Sequence, residues 1–457
     1  MQRRDFIKNT LITTGAVALG SCQDKTPDAN RKYEGQIAII GAGAAGLYAG
    51  QLLEEQEAKY TIYEASDQIG GRIRSLKGLA DFDLELGAEE IYGPPSQWYD
   101  WVKGAGATLI KSDSANDFYQ IGSQIQNEEQ LKTNANFQAA LSLVREALSY
   151  TGDDVTLLQF LNARSVPTDV RYVVESILAN KYGTSASRLS VKSMAEQSNI
   201  WSAGTDLYTS TNLSLTNVLT EKFKNILPKV ILNMPIRRID YSNERIMLED
   251  SQAQRRFVDK VIITVPLSVL QLGDLQLTPA LPETHTNALK NIGMGAGMKV
   301  TLLFNKRFWD SNTAAIYTAG VVPQFKVNSY GREAKSFVLT ATIMGEKAEF
   351  LSTQSATVLV QSILKDLDTL YGKGAATTAL TNARITDWTK EPYIKGAFSY
   401  PLVGGGGLLT RQALSQPVKR RIYFAGEATH YGGHSGTVHG AIESSRRAVD
   451  ELLRDVS

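Results

Sequence analysis

Cysteine is almost missing from this chain: there is one in 457 residues, Cys22. No disulfide and no cysteine-based metal centre can form within a single copy. Histidine is nearly as scarce, with His285, His430, His434 and His439 making four. His430 and His434 have the spacing of a helical metal pair, but Gly432 and Gly433 between them read as a loop, so no metal site is expected. Net charge is missing too. Lys and Arg total 48 against 47 Asp and Glu, leaving +1, and that balance gives no support to a nucleic-acid partner. Internal repeats and long low-complexity runs are absent, Gly404 to Gly407 being only a glycine loop. What is present, 43% hydrophobic and 21% charged residues, is ordinary globular composition. The length exceeds what one core organises, so two structural units are expected.

Residues 1–21 read as a targeting segment and not as part of the fold. Arg3-Arg4 followed by Asp5-Phe6-Ile7-Lys8 resembles the twin-arginine export pattern. The mildly apolar stretch Leu11 to Leu19 is shorter than the roughly 20 residues a bilayer span needs. Leu19-Gly20-Ser21-Cys22 resembles a bacterial lipobox, whose cysteine is lipidated and becomes the new N-terminus. The expected product is exported, a periplasmic or cell-envelope lipoprotein held to the membrane by lipid on Cys22, with residues 22–33 as a polar tether. Twin-arginine export carries folded proteins, so a cofactor can be inserted before transport.

The first chemistry follows at once. Gln36 to Ile40 is a short apolar run of strand-forming residues, and Gly41-Ala42-Gly43-Ala44-Ala45-Gly46 comes directly after it. Leu47 to Gln56 reads as a helix, and Tyr60 to Tyr63 as a second strand ending at Glu64. This is strand, Gly-x-Gly-x-x-Gly, helix, strand, acid. Gly41 permits the tight turn, Gly43 lets backbone approach a pyrophosphate, and Gly46 lets the helix pack closely. The helix start offers unpaired N–H groups and a positive dipole end to phosphates. Glu64 is placed to accept hydrogen bonds from ribose hydroxyls. At this point NAD and FAD are both open.

The continuation separates them. Glu64-Ala65-Ser66, followed by Gly70-Gly71-Arg72, resembles the flavoprotein family that includes amine oxidases, protoporphyrinogen oxidases and phytoene desaturases. The resemblance extends over nearly the whole mature chain. Glu85-Leu86-Gly87-Ala88 with Ile91-Tyr92-Gly93 is similar to a flavin-side segment of polyamine and monoamine oxidases. Val230 to Leu232 and Ile236 to Ile239 resemble the adenine-bracketing strand, with Ile236 at the contact. Val261 to Leu267 resembles the family's Val-Ile-x-Thr-Val-Pro-Leu, and Lys299 to Trp309 its segment carrying a flavin-facing lysine. Trp388, Glu391 to Tyr393, Gly396 to Tyr400, Ile422 to Thr429 and Gly436 to Ala441 complete the match.

The resemblance implies an α/β fold: a Rossmann-like FAD-binding domain interleaved with a mixed α+β substrate-binding domain, the amine oxidase fold. The expected FAD domain collects residues 34–110, 220–290 and 402–457. The substrate domain collects 111–219, largely helical, and 291–401, with strands at Val300 to Phe304 and Phe337 to Ile343 and a helix at Ala356 to Tyr371. The implied cofactor contacts are Gly41, Gly43, Ala45, Gly46, Glu64, Gly71, Arg72, Ile236, Gly426, Glu427, Thr437 and Val438. The implied catalytic residues are Lys299, Phe398, Trp388 and Thr437. The family's covalent flavin cysteine falls at Ala397, so FAD is expected to be non-covalent.

The implied reaction is oxidation of a primary or secondary amine, a polyamine included, by hydride transfer to flavin, with dioxygen reduced to hydrogen peroxide. The family's amino-acid oxidases place a carboxylate-binding arginine near Glu90. Glu89 and Glu90 stand here instead, which suits a cationic amine. The alternatives are an amino-acid oxidase or another FAD oxidoreductase of the same fold, a nicotinamide-dependent dehydrogenase, and a non-catalytic surface lipoprotein using the fold as a binding scaffold.

Overall fold

The computed structural model describes residues 33–455. The export and lipid-anchor motifs at Arg3, Arg4 and Cys22 lie outside the described residues, as does the tether except Tyr33, which already packs against the core.

A five-stranded parallel sheet organises the site. Its order is Val230–Ile231, Lys59–Tyr63, Gln36–Ile40, Lys260–Ile263 and Ile422–Phe424. The central strand has no polar face because both of its faces are covered, as parallel strands require. Ile37 and Ile39 enter one core with Leu47, Leu52 and Ile442. Ala38 and Ile40 enter another with Ile236 and Leu248. The second core lies under a four-stranded sheet, Arg255–Val258, Ile246–Asp250, Ile236–Asp240 and Gln276–Thr278. Val230–Ile231 and Ile236–Asp240, read together from the sequence as one strand, are thus separate strands of two sheets. The bend between them wraps Glu64, whose N–H donates to the Ile231 carbonyl and whose carbonyl accepts from Met234.

A seven-stranded sheet forms the other large layer, in the order Leu380–Asp387, Gly297–Phe304, Phe337–Met344, Gln324–Val327, Ala315–Tyr317, Asp117–Ile121 and Gln124–Asn127. Helix Ala356–Tyr371 lies in the core on one side of it. Ser355 caps its start by accepting from the Val358 N–H, and Leu359, Ile363, Leu364 and Leu367 are its buried stripe. The hairpin 117–127 lies in a stretch whose sequence reads as mainly helical. Its strands close the sheet edge, while the helices Ala135–Leu148 and Val191–Asn199 form a separate cluster beside it. Among the described residues no helix is long and apolar enough to cross a membrane.

The helix Ala44–Glu55 begins three residues earlier than its apolar spacing suggests. It packs beside the long C-terminal helix Val438–Arg454, where the Ser445 hydroxyl donates to the Ala45 carbonyl at 2.8 Å. The chain enters Ala44–Glu55 through Gly41, at φ +109°. A Cβ on Gly46 would fall on the Gly41 carbonyl oxygen, inside van der Waals contact, whereas a Cβ on Gly43 would meet nothing within 4 Å. Gly46→Ala is therefore expected to cost about 1–3 kcal/mol of stability. Gly43→Ala should leave stability within about 0.5 kcal/mol. Urea unfolding of the two variants checks this, and equal losses would contradict it.

Candidate active site

Segments far apart in the chain meet at one cavity of about 760 Å³. Gly41, Gly43, Ala45, Glu64, Gly71, Arg72, Ile236, Lys299, Trp388, Phe398, Gly426, Glu427, Thr437 and Val438 all line it. Gly46, also singled out from the sequence, does not; it sits behind the turn, against Gly41.

One end of the cavity is built for a dinucleotide. The first turn of Ala44–Glu55 carries no acidic residue and no side-chain cap, so its N–H groups and positive dipole end are left to a ligand anion. The open space over Gly43 leaves room for such an anion to approach the backbone. Glu64 is buried; one carboxylate oxygen accepts from the Ala42 N–H at 2.6 Å, the other from the Ser66 N–H and hydroxyl. The oxygen bound by Ala42 keeps one acceptor site. These residues fit the diphosphate and ribose of FAD.

Farther along stands Glu427, at 4% exposure. Its carboxylate accepts from Arg72 at 3.0 Å, from the Ser399 N–H and hydroxyl, and from the Gly436 N–H. Burial on its own would raise this carboxyl, but Arg72 and the buried Arg411 outweigh burial and hold it below its usual range. Arg72 also donates to the Ala397 carbonyl at 2.8 Å, and Arg411 to the Ser399 hydroxyl at 2.7 Å. Thr437 caps the C-terminal helix by accepting from the Gly440 N–H, and that helix start faces the cavity through Thr437, Val438 and Ala441. No acid occupies its first turn.

The walls at Trp388 and Phe398 differ in character. Trp388 is buried, donates its indole N–H to the Leu86 carbonyl at 2.9 Å and lies 5.0 Å under the Arg74 guanidinium. It is a fixed wall. Phe398 is half-buried and packs its ring on the backbone of Gly183 and Gly436.

Lys299 is held more tightly than its sequence context suggests. Its ammonium donates to Glu89 at 2.6 Å and to the Glu85 carbonyl at 3.3 Å, which leaves one N–H for the cavity. Glu89 also binds Lys326 at 2.7 Å. Burial would raise the Glu89 carboxyl, yet the two ammoniums hold it down at about 2. The pair Glu89 and Glu90 therefore divides. Glu89 is a buried, neutralised ion-pair member, and Glu90 is an exposed residue that lines the cavity. Lys326, Arg411 and Asp117, a further carboxylate on the cavity wall, were not visible from the sequence. Each takes its place through sheet register or burial, and none sits in a local motif.

His430 and His434 lie in a loop, as their glycines suggest, and both rings reach Glu443, at 2.7 and 2.8 Å. These ligand-type atoms all lie within 4.8 Å of one another. The cluster stands outside the cavity lining.

Comparison with known proteins agrees with this geometry. The family described as flavin containing amine oxidoreductase matches residues 220–453. The NAD(P)-binding Rossmann-like domain matches residues 39–103. Lysine-specific histone demethylase 2 of Homo sapiens is 28% identical over 97% of this chain and 56% of its own length. The chain thus spans about half the length of the histone demethylases it matches. Polyamine oxidase 4 of Oryza sativa subsp. japonica is 24% identical, over 92% of this chain and 89% of that one. Cyclohexylamine oxidase from Brevibacterium oxydans IH-35A superposes with a TM-score of 0.77 at 19% identity, covering 93% of this chain and 100% of that one. Wild-type putrescine oxidase bound to putrescine gives 0.74 at 18%, covering 92% and 99%. The fold is the amine oxidase fold, with a Rossmann-like dinucleotide domain.

Glu85, beside the Lys299 contact, titrates in the opposite sense to Glu89. Burial pushes its carboxyl up to about 7, against hydrogen bonds from the Leu215 N–H and the Ser75 hydroxyl. The folded chain thus keeps a proton that the unfolded chain loses near pH 4.5. The resulting stability is full below that pH and is lost as pH rises through about 7. Between pH 5 and 8 the wild type should lose roughly 3 kcal/mol relative to Glu85→Gln. The Glu89 transition falls below this window. Denaturant unfolding of both proteins at the two pH values measures the gap, and a gap that does not change with pH contradicts the assignment.

Proposed function

The chain belongs to the flavin containing amine oxidoreductases, with FAD as its cofactor, and from that premise we propose that it is an amine oxidase acting on a small primary or secondary amine. The observation that carries this reading is the convergence of the dinucleotide cradle, Lys299 and Phe398 on one cavity. Bound FAD would accept hydride from the amine α-carbon and pass the electrons to dioxygen, giving hydrogen peroxide and an imine that water hydrolyses to a carbonyl compound.

The chain's own residues bind, orient and exclude water. Gly43, Gly71 and the start of Ala44–Glu55 would hold the pyrophosphate, and Glu64 the adenosine ribose. Arg72 and Glu427 would fix the ribityl side, with Ile236 against the adenine. Thr437 and Val438 present a helix start, which favours negative charge at the flavin ring. Ala397 has no nucleophile, so the attachment is non-covalent. Phe398 and Trp388 would wall the amine in a low-dielectric site, which lowers its pKa and favours the neutral form that can release hydride. Lys299, oriented by Glu89, would direct its remaining N–H at a water used in flavin reoxidation or imine hydrolysis.

Glu90 beside the cavity favours a cationic amine over a carboxylate-bearing one. We place the FAD-binding part at 34–110, 220–290 and 402–457, and the substrate part at 111–219 and 291–401. We likewise propose export and lipid anchoring at Cys22, on the strength of the N-terminal motif. Loss of membrane association in Cys22→Ala tests the anchor.

The purified protein is expected to be yellow and to release all its flavin on acid precipitation. An amine should bleach it anaerobically, and air should restore the colour with stoichiometric peroxide. Lys299→Met should slow reoxidation or product release by about a hundred-fold. Reoxidation and product-release rates that both match wild type would remove the role given to Lys299. A colourless protein that takes up no added FAD would favour the binding-scaffold reading.

A further inference from the structure

The last loop of the site joins the turn Glu427–Thr429 to the start of the helix Val438–Arg454. His434, in the middle of that loop, is held at every polar atom. Its N–H donates to the Nδ1 atom of His430 at 3.1 Å, and its carbonyl accepts the Thr437 hydroxyl at 2.6 Å. Its ring donates from Nδ1 to Glu443 at 2.8 Å and accepts the Ser202 N–H at Nε2. His430 reaches the same carboxylate oxygen at 2.7 Å, and its Nδ1 atom also accepts the Gly432 N–H. The loop fixed in this way presents the Gly436 N–H to Glu427 at 2.8 Å, and Thr437 and Val438 to the cavity.

These contacts leave His430 no place for a second ring proton. A neutral imidazole donates from one nitrogen and accepts at the other, whereas an imidazolium only donates. Two backbone N–H groups fill Nδ1, so the single proton sits on Nε2, facing Glu443. A proton added at Nδ1 would point at both N–H groups, and the turn from His430 to His434 would have to open. Burial is the largest influence on this ring. Glu443 draws a proton toward it, His434 and Arg447 repel one, and the balance holds His430 below the ordinary histidine range. Glu443 itself is held down at about 2 and stays ionised. On the far side, Trp201 and His439 cover the His434 ring at 5.0 and 4.7 Å. With the loop open, His430 takes up its proton near pH 6.5 as a free histidine does, about the ordinary value; with the loop closed it does so only at lower pH. The contribution of closure is therefore full above about pH 6.5 and is lost as pH falls.

We propose that His430, His434 and Glu443 are positioning residues for the flavin site: a clasp that closes the loop onto Glu427 while the His430 ring is neutral, and that opens and weakens FAD binding when this ring takes a second proton. The inference rests on the FAD cradle described above and not on which amine is oxidised. None of the three side chains lines the cavity. They act through Gly436, Thr437 and Val438, which do.

Ultrafiltration of the holoenzyme at pH 7.5 and pH 5.5, with free flavin read by fluorescence, gives the FAD affinity. One histidine that gains its proton only in the open state weakens binding about ten-fold over that interval. Return to pH 7.5 should restore it. His430→Asn sets an oxygen near the Nδ1 position, keeps the acceptor and cannot titrate, so its affinity should change less than about two-fold over the same interval. His430→Phe removes the acceptor and should weaken FAD about ten-fold already at pH 7.5, with little further loss in acid. Glu85 favours the folded chain in the same acid, so flavin loss with an unchanged circular dichroism spectrum separates the clasp from unfolding. The wild-type holoenzyme gives a readout that needs no variant to fold. Its chain has four histidines, and magnetic resonance should find the His430 ring neutral for as long as flavin is bound. Wild-type affinity that is flat between the two pH values overturns the clasp and leaves the oxidase reading standing. So does a His430→Asn protein as acid-sensitive as wild type, or a His430 ring that protonates with flavin in place. A chain that takes up no FAD at any pH overturns both.

Discussion

A carboxylate almost out of reach of solvent, Glu427, ties the halves of the site to one another. A buried anion of this kind is tolerated only when its charge is matched and its lone pairs are filled. Here the partners come from distant stretches of chain: Arg72 after the second parallel strand, Ser399 on a strand of a small separate sheet, and Gly436 before the last helix. Arg411 reaches the same cluster from a further helix. Satisfying one charge therefore fixes the dinucleotide cradle against the wall that carries Phe398. Removing any one partner would leave a buried ion exposed to its neighbours, and the geometry of a two-part cavity would lose its common reference.

A second buried charge cluster works on the other side. Lys299, Glu89 and Lys326 place two cations on one anion, so the cluster has a net positive charge before any ligand arrives. Glu85, close by, avoids adding a second anion by keeping its proton to about pH 7. Two glutamates of one short segment thus hold opposite protonation states. Glu89 is drawn down by ammoniums it touches, and Glu85 is pushed up by burial, with the Glu89 charge adding to it. The result is a lysine whose direction is set by the surrounding protein and not by its own flexible stem.

What could be read in advance was what is local. The turn at Gly41 to Gly46, the apolar strand before it and the acid at Glu64 lie within 29 residues, and each follows from the turn, the dipole and the pleat. The helix Ala356–Tyr371 was legible from its apolar spacing. The positions of Lys299, Trp388 and Glu427 on the cavity followed only from resemblance, since a lysine in a strand carries no sign of its partner. The partners themselves were not legible. Glu89 and Glu90 are adjacent and chemically alike, and nothing in their local sequence says that Glu89 is buried against two lysines while Glu90 stays exposed. Lys326 and Asp117 meet the site through pairing across the seven-stranded sheet, a register that no local pattern specifies. The hairpin 117–127 was missed for the same reason: its strands are recognisable through the sheet they join.

The histidine cluster shows why identity and proximity do not suffice to name a site. His430, His434 and Glu443 have the composition and closeness of a zinc triad. Their hydrogen bonds tell another story. The Nδ1 atom of His430 accepts two backbone N–H groups, from Gly432 and His434, so its proton sits on the nitrogen facing Glu443. The Nε2 atom of His434 accepts the Ser202 N–H, so its proton likewise faces Glu443. Metal-bound histidines ordinarily donate from their second nitrogen; these accept there. A divalent ion between them would have to displace both protons and leave imidazolate rings. Two neutral rings donating to one carboxylate already satisfy the group, and they brace the loop that delivers Gly436 to Glu427 and Thr437 to the cavity.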